Sequence, residues 1–232
     1  AFVDQEARFS ASLLTHFSGG GAVFRKTAVV DVGGWSSETL AEDLDLSIRL
    51  RLSGWRYVYD DSIACPGEVP TSFPVLQQQQ FRWASGFSGC LKKHLRSLLG
   101  TNQMSLLQKA EALVYLTEYV ASPLIAAGVV LAILYCIVFP ADFILNGFRR
   151  NVLAAFTVLM SALIYTAPLA LFAVAALRST EGWLRRGKRF VDLVYLGILS
   201  VAIFLTSTRA VLAGFLNKAT YFYRTPKRGD AA

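Results

Sequence analysis

Residues 33–60 read GGWSSETLAEDLDLSIRLRLSGWRYVYD, and the period of the apolar residues changes midway along them. From Glu42 to about Ser53, Leu46 and Leu50 recur at helical spacing, acidic residues open the first turn, and Gly54 stops the run. From Trp55 to Asp60 the period drops to two, with Trp55, Tyr57 and Tyr59 on one side, as a strand requires. A helix running straight into a strand suits an α/β domain.

Working outward, residues 1–18 predict an amphipathic helix with Phe9, Leu13 and Phe17 at helical spacing, broken by Gly19, Gly20 and Gly21. AVFRK (22–26) has short-strand character, and Val32-Gly33-Gly34-Trp35 is a turn. After a Pro66–Pro74 loop, a third helix is expected from about Val75 through Leu91. Three long apolar stretches follow, at Ala112–Phe139, Val152–Leu177 and Val191–Leu216. About 20 apolar residues cross a bilayer, so the first two predict transmembrane helices, with Pro123 and Pro168 tolerated as kinks. Asp192 and Arg209 interrupt the third, which either spans or lies in the interface.

The composition agrees with this division. Of 232 residues, 54% are hydrophobic and 17% charged, against about 45–50% and about 25% for a soluble domain. Mean hydropathy is +0.44. The net charge of +7 does not point to nucleic acid, because the cations gather beside the apolar runs. The loop after the second span carries Arg178, Arg185, Arg186, Lys188 and Arg189 against Glu181, which places that loop in the cytoplasm. The soluble N-terminal region, separated from it by a pair of spans, then lies on the same side. Cys65, Cys90 and Cys136 have neither metal-ligand spacing nor the even count of a disulfide framework. His16 and His94 stand alone and read as surface or packing residues. The chain starts at Ala1 as though in mid-domain, so a longer protein is expected.

Two clusters have the residue types that chemistry needs. Glu42-Asp43-Leu44-Asp45 opens a helix. It fits either an acidic first turn that offsets the helix dipole or a general base held rigidly at a helix start. Gln79, Arg82 and Trp83 fall at i, i+3 and i+4, so one helix face offers an amide, a guanidinium fork and a flat ring. That face suits a sugar and phosphate oxygens; equally, it fits an amphipathic helix with Trp83 in the core.

Taken in order, FSGGGAVFRK (17–26), VGGW (32–35), AEDLDL (41–46), GWRYVY (54–59), EVPTSF (68–73) and QQFRW (79–83), followed by apolar spans, are far more specific. The series resembles the second half of the catalytic domain of processive family 2 glycosyltransferases, the cellulose, mannan and glucomannan synthases, through their Thr-Glu-Asp and Gln-x-x-Arg-Trp signatures. The resemblance covers roughly residues 5–95, and the membrane region in hydropathy. It implies the C-terminal half of a GT-A-like α/β domain over 1–100, membrane or interfacial helices over 101–217, and a basic cytoplasmic tail over 218–232.

By that resemblance Asp43 is the catalytic base and Glu42 supports the site. Trp83 helps hold the acceptor, Arg82 and Gln79 contact the donor diphosphate, and Gly19 and Gly20 lie near the acceptor. Ala41 departs from the family's threonine, which implies tuning of the site and not its loss. In the tail, Phe222, Thr225 and Lys227 match the gating loop of cellulose synthases, while Arg224 replaces its valine. Without the resemblance the same tail is a basic segment beside lipid head groups.

The resemblance further implies a UDP- or GDP-linked sugar donor, a β-linked polysaccharide acceptor, lipid, and partner subunits of a synthase complex. A divalent cation, Mg or Mn, is expected through an upstream Asp-x-Asp that this chain lacks, so no metal ligand is assigned here. An integral protein of the plasma or inner membrane is expected, with Tyr115, Tyr119 and Tyr165 as candidates to line a polymer channel. Its rivals are a non-processive transferase acting on a lipid or short acceptor, and an inactive scaffold subunit. The Thr71-Ser72-Phe73 and Gln79-Gln80 context resembles mannan synthases slightly more than cellulose synthases, too little to choose a donor.

Overall fold

The computed structural model describes residues 2–60, 62–63, 65, 67–70, 72–138, 195, 199 and 202–216. The chain divides into two compact units, residues 1–123 with 206–232, and residues 124–205. The first holds α1 (Phe2–Ser10), α2 (Lys26–Asp31), α3 (Glu42–Leu52), α4 (Phe73–Gly100), α5 (Leu106–Leu116) and a 3-10 turn (Glu118–Val120). Helix α6 (Ala121–Val138) runs from there into the second unit. The last described helix, α7 (Ala202–Phe215), returns to the first from Thr206 onward.

Helix α4 is the centre of the first unit. At 28 residues it is about 42 Å long, and its neighbours bury it on every side from Ala84 to Ser88. Phe87, Cys90, Leu91 and Leu98 join Leu44 and Ile48 of α3 and Ala112, Tyr115 and Leu116 of α5 in one core. Ala84 packs with Ala210 and Val211 of α7. Helix α3 is buried on both sides, because Leu46 and Leu50 face away from α4 and pack with Ala28 of α2. Its apolar residues are therefore not confined to the single stripe that Leu46 and Leu50 suggest.

Several expected boundaries move, each for a local reason. The first helix ends at Ser10 and not at 18. Ser12 adopts φ 55°, Leu13 N–H donates to Arg8 O and Ser12 N–H to Phe9 O, a Schellman stop made without glycine. The strands expected at 22–26 and 55–60 are corrected: no β-ladder forms among the described residues, and α2 already begins at Lys26. Alternation gives a segment a two-sided character, but a strand exists only when a neighbour pairs its backbone groups, and no described segment does so here.

The apolar stretch 112–139 is not one helix either. It breaks at Thr117, whose hydroxyl donates back to Leu113 O, and resumes as α6 shortly before Pro123, which has no N–H to give and would crowd the carbonyl four residues back. Glu118–Tyr135 is long and apolar enough to cross a membrane, with a mean hydropathy of 1.7; it is the one such segment among the described residues. Its Leu124, Leu131 and Ile133 side chains are exposed, as is Ile137 just beyond it. The stretch 152–177 lies outside the described residues.

The third apolar stretch is described mainly over α7, which packs by one face. Ser207, Ala210 and Val211 are buried. A Cβ on Gly214 would come within 2.5 Å of Ser85 O and 2.9 Å of Ser88 Cβ, so only glycine permits this approach to α4. Gln77 Nε2 donates to Thr206 Oγ1 at 3.4 Å, and Lys92 Nζ to the terminal carbonyl of Phe215 at 2.8 Å.

Candidate active site

Helix α3 starts without a side-chain cap, because its N-cap is Ala41. The orphan amides of a helix start need acceptors, and Asp43 supplies one: its Oδ1 accepts from Leu44 N at 2.8 Å. Asp43 is half-buried. Burial pushes its carboxyl above the ordinary value of 3.8, Glu42 adds to the rise, and the Leu44 amide and Arg82 oppose it without cancelling it. Arg82 comes from α4, so the structure brings the acidic cluster and the Gln79–Trp83 cluster to one place.

The glycine loop closes over this carboxylate. Gly19 has φ 79°, and a Cβ built on it would sit 3.4 Å from Asp43 Oδ2. Gly21, at φ 71°, passes so close to Cys65 that a Cβ would be 2.7 Å from Sγ. The loop is held at its ends by aromatic rings: Phe17 and Phe24 meet edge-to-face at 5.2 Å, and both pack against Trp35, at 6.2 and 5.9 Å. Gly20 is exposed with open space around it.

On α4, Gln79 and Arg82 are half-buried, whereas Trp83 is 41% exposed. The reading of Trp83 as a core residue is thereby set aside. The approach of α4 to α3 is set by Gly86, whose Cβ would lie 2.5 Å from Ala41 Cβ and 2.8 Å from Ala41 N. Beside it Cys90 donates to Thr39 Oγ1 and Ala41 O, at 3.5 and 3.7 Å. Burial pushes its thiol up to about 12, so Cys90 packs as a neutral group.

Asp45 has a different setting from Asp43. It is fully buried, with Arg49 Nε at 2.8 Å, Lys93 Nζ at 2.8 Å and His94 Nε2 at 2.7 Å. Burial alone would raise its carboxyl, but His94, Lys93 and Arg49 outweigh that and hold it well below the usual range. An ionised carboxylate only accepts, so His94 donates from Nε2. Arg49 also donates to Val32 O and Gly34 O, at 2.5 and 2.8 Å, and Lys93 reaches Glu38. This network fastens the 32–34 turn and α4 to α3 around the acidic cluster.

Sequence reasoning missed the network, although the i, i+4 spacing of Asp45 and Arg49 was a usable signal. His94 is a buried partner of Asp45. His16 is not alone either: its Nδ1 lies 2.6 Å from Tyr115 Oη and 3.2 Å from Gln5 Nε2. Tyr115, a candidate channel residue by sequence, is buried under Arg8, whose guanidinium carbon is 3.5 Å from the ring centroid. The half-buried Tyr119 packs on Phe87 at 5.4 Å. Core packing claims both rings. Tyr165, Phe222, Thr225 and Lys227 lie outside the described residues.

A cavity of about 600 Å³ opens elsewhere in the unit, lined by Arg51, Trp55, Arg56, Tyr57, Gln103 and Gln108 among others. It contains none of the candidate residues. No cluster of three or more His, Cys, Asp or Glu side chains suited to a metal occurs among the described residues. Asp45 is already surrounded by donors, and Asp43 faces a glycine loop and an arginine. The described residues therefore do not by themselves form a divalent-cation site.

Comparison with known proteins adds an independent finding. The family described as "Glycosyl transferase family group 2" matches residues 2–177. Among curated relatives, the probable glucomannan 4-beta-mannosyltransferase 7 of Oryza sativa subsp. japonica is 34% identical over 140 residues, 60% of this chain and 23% of its own. The probable glucomannan 4-beta-mannosyltransferase 11 of the same plant is 36% identical over 139 residues, 60% of this chain and 24% of its own. The glucomannan 4-beta-mannosyltransferase 1 of Cyamopsis tetragonoloba is 34% identical over 139 residues, 60% of this chain and 26% of its own. The chain spans about a quarter of the length of these relatives. No solved structure matches.

Proposed function

This chain belongs to the glycosyl transferase family group 2, and from that premise we propose that it carries the base-bearing region of a membrane enzyme that elongates a β-linked polysaccharide with inversion. The donor is a UDP- or GDP-hexose, and the names of its relatives favour a mannosyl donor. The observation that carries the reading is the position of Asp43: a rigid, desolvated carboxylate beneath the Gly19 backbone and beside Arg82.

In this reading an Asp43 oxygen takes the proton of the acceptor hydroxyl as that oxygen attacks the anomeric carbon. The bond from the anomeric carbon to the diphosphate breaks, and its electron pair leaves with the phosphate. A carboxyl with a raised pKa is the stronger base once ionised. Glu42 helps to keep that pKa high. Arg82, helped by Gln79, meets the negative charge that grows on the leaving group, and the exposed Trp83 offers its face to the acceptor sugar. Gly19 and Gly20 let the acceptor approach the backbone closely. Phe222, Thr225 and Lys227 are proposed to close over the donor. The divalent cation that the family implies would be held by an upstream Asp-x-Asp outside this chain and would offset charge on the leaving diphosphate, while Asp43 and Arg82 keep the roles given above.

Further proposals follow from the apolar segments: an integral membrane protein with residues 1–100 in the cytoplasm, partner subunits of a synthase complex, and passage of the polymer through the membrane helices. The test is synthesis from labelled GDP-mannose and UDP-glucose by the full-length protein in membrane vesicles, wild type beside Asp43→Asn. Long product from one donor, lost in Asp43→Asn, is the expected outcome. Short product alone would move the protein to the non-processive rival. Synthesis undiminished in Asp43→Asn would overturn the mechanism.

A further inference from the structure

Ser47 stands one turn after Asp43 on α3 and is fully buried. Its hydroxyl donates to Asp43 O at 2.7 Å and accepts from Phe17 N at 3.0 Å. One side chain therefore joins the helix turn that carries the base to the first residue of the glycine loop above it. A hydroxyl has two lone pairs, and the Phe17 amide uses one.

Tyr57 faces the same junction from the GWRYVY segment. Its Oη is buried without a hydrogen-bond partner among the described residues, next to Ser47 Oγ and the Phe17 backbone and within reach of the charge of Asp43. Burial, with the Asp43 charge behind it, pushes the phenol up to about 12. Tyr57 is thus a neutral donor at any working pH. A buried donor left unpaired is costly, and the side-chain oxygen beside it, Ser47 Oγ, has its second lone pair to offer.

We propose that Ser47 and Tyr57 are positioning residues for the transfer, a two-hydroxyl latch that pins Phe17, and with it the Gly19–Gly21 loop, over the carboxylate of Asp43. In the latched arrangement Tyr57 donates to Ser47 Oγ, Ser47 donates to Asp43 O, and the Phe17 amide donates to Ser47. Neither hydroxyl touches substrate. Their effect reaches the chemistry through the loop, which keeps water from Asp43 and fixes where an acceptor hydroxyl arrives. A misplacement of about 1 Å at such a site costs about 10²-fold in rate. The inference rests on the assignment of Asp43 as base.

The test uses the full-length protein in membrane vesicles, as wild type, Ser47→Ala, Tyr57→Phe and Ser47→Thr. Two readouts are taken: hydrogen exchange of a peptide covering 13–24, and the pH profile of kcat/KM for the sugar donor. The groups around Asp43 are Glu42 on α3, Arg82 and Cys90 on α4, and Tyr57 itself. Neither Ser47→Ala nor Tyr57→Phe changes a charge among them, so a shift of the acid limb reports the loop.

Ser47→Ala and Tyr57→Phe are expected to speed exchange at Phe17. They should lower kcat about 10–100-fold and move the acid limb down towards the ordinary carboxylate value, as water reaches Asp43. Ser47→Thr is expected to restore all three. Reduced activity with wild-type exchange and an unmoved acid limb would mean a merely structural role and overturns the latch, as do variants that match the wild type throughout. Faster exchange in a protein whose wild type transfers no sugar would keep the latch and overturn the transferase reading instead.

Discussion

Asp43 and Asp45 are two residues apart on one helix turn and have opposite electrostatic settings. At Asp43 desolvation outweighs the nearby Arg82, so its folded pKa is raised; ionising it works against the fold. Asp43→Asn is therefore expected to leave thermal stability unchanged or higher, while transfer falls about 10²–10⁴-fold, the usual contribution of a general base. Melting and initial rates on the same preparation check this. In the wild type, activity should fall as pH drops through a pKa above 3.8, because the proposed base is lost on protonation. Asp45 is the reverse case. Its folded pKa is depressed, so its contribution to stability is complete above the unfolded value, about 3.9, and is lost as pH falls from there toward the folded one. Asp45→Asn should cost about 3–5 kcal/mol at neutral pH, since it leaves Lys93 and Arg49 facing a neutral side chain, and should flatten acid destabilisation below about pH 4. Denaturant melts at several pH values measure both. The pattern Glu-Asp-Leu-Asp was legible as an acidic cluster, but the division of labour inside it was not. Burial separates the two carboxylates, and burial depends on α4.

At the scale of elements, contacts between helices hinge on missing side chains. Gly86 lets α4 touch Ala41, the residue before the acidic cluster, and Gly214 lets α7 lie on Ser85 and Ser88. Gly86→Ala puts a methyl 2.5 Å from Ala41 Cβ. It is expected to cost about 1–3 kcal/mol and to lower transfer by more than the loss of folded protein explains, because it displaces the helix start under Asp43. Gly100→Ala, with open space around it, is the control and should be near neutral. Gly214→Ala meets backbone at Ser85 O and should detach α7, read as faster proteolysis within 202–216. Helix identity was legible: α3 is read to within a residue, and α4 is expected from about Val75 through Leu91, although it starts at Phe73 and runs on to Gly100. Helix ends were less so, since Ser12 supplies a left-handed stop that sequence rules assign to glycine. Helix α5 was missed altogether, although Ser105 and Gln108 form a capping box whose spacing was a usable signal.

At the scale of the whole molecule, the segment Glu118–Tyr135 is expected to hold the protein in the bilayer, so the full-length protein should stay with membranes through alkaline carbonate extraction. Its appearance in the supernatant would sink the membrane reading. The order of motifs along the chain determined the family, because a glycine loop, an acidic helix start and Gln-x-x-Arg-Trp in that order, ahead of apolar spans, seldom arise together by chance. Hydropathy likewise determined that Glu118–Tyr135 is apolar enough to span, since transfer into lipid depends on composition and length. Only the tertiary structure decided the remainder: that Arg82 stands by Asp43, that Asp45 takes two of its three donors from α4, that Ser47 ties the turn of Asp43 to the glycine loop, and that the end of the third apolar stretch packs on α4. Those facts join residues 30, 49 and 123 positions apart in the pairs Phe17–Ser47, Asp45–His94 and Lys92–Phe215. Periodicity reports which face of an element is apolar, but what meets that face, and how closely, is set by packing among elements distant in the chain.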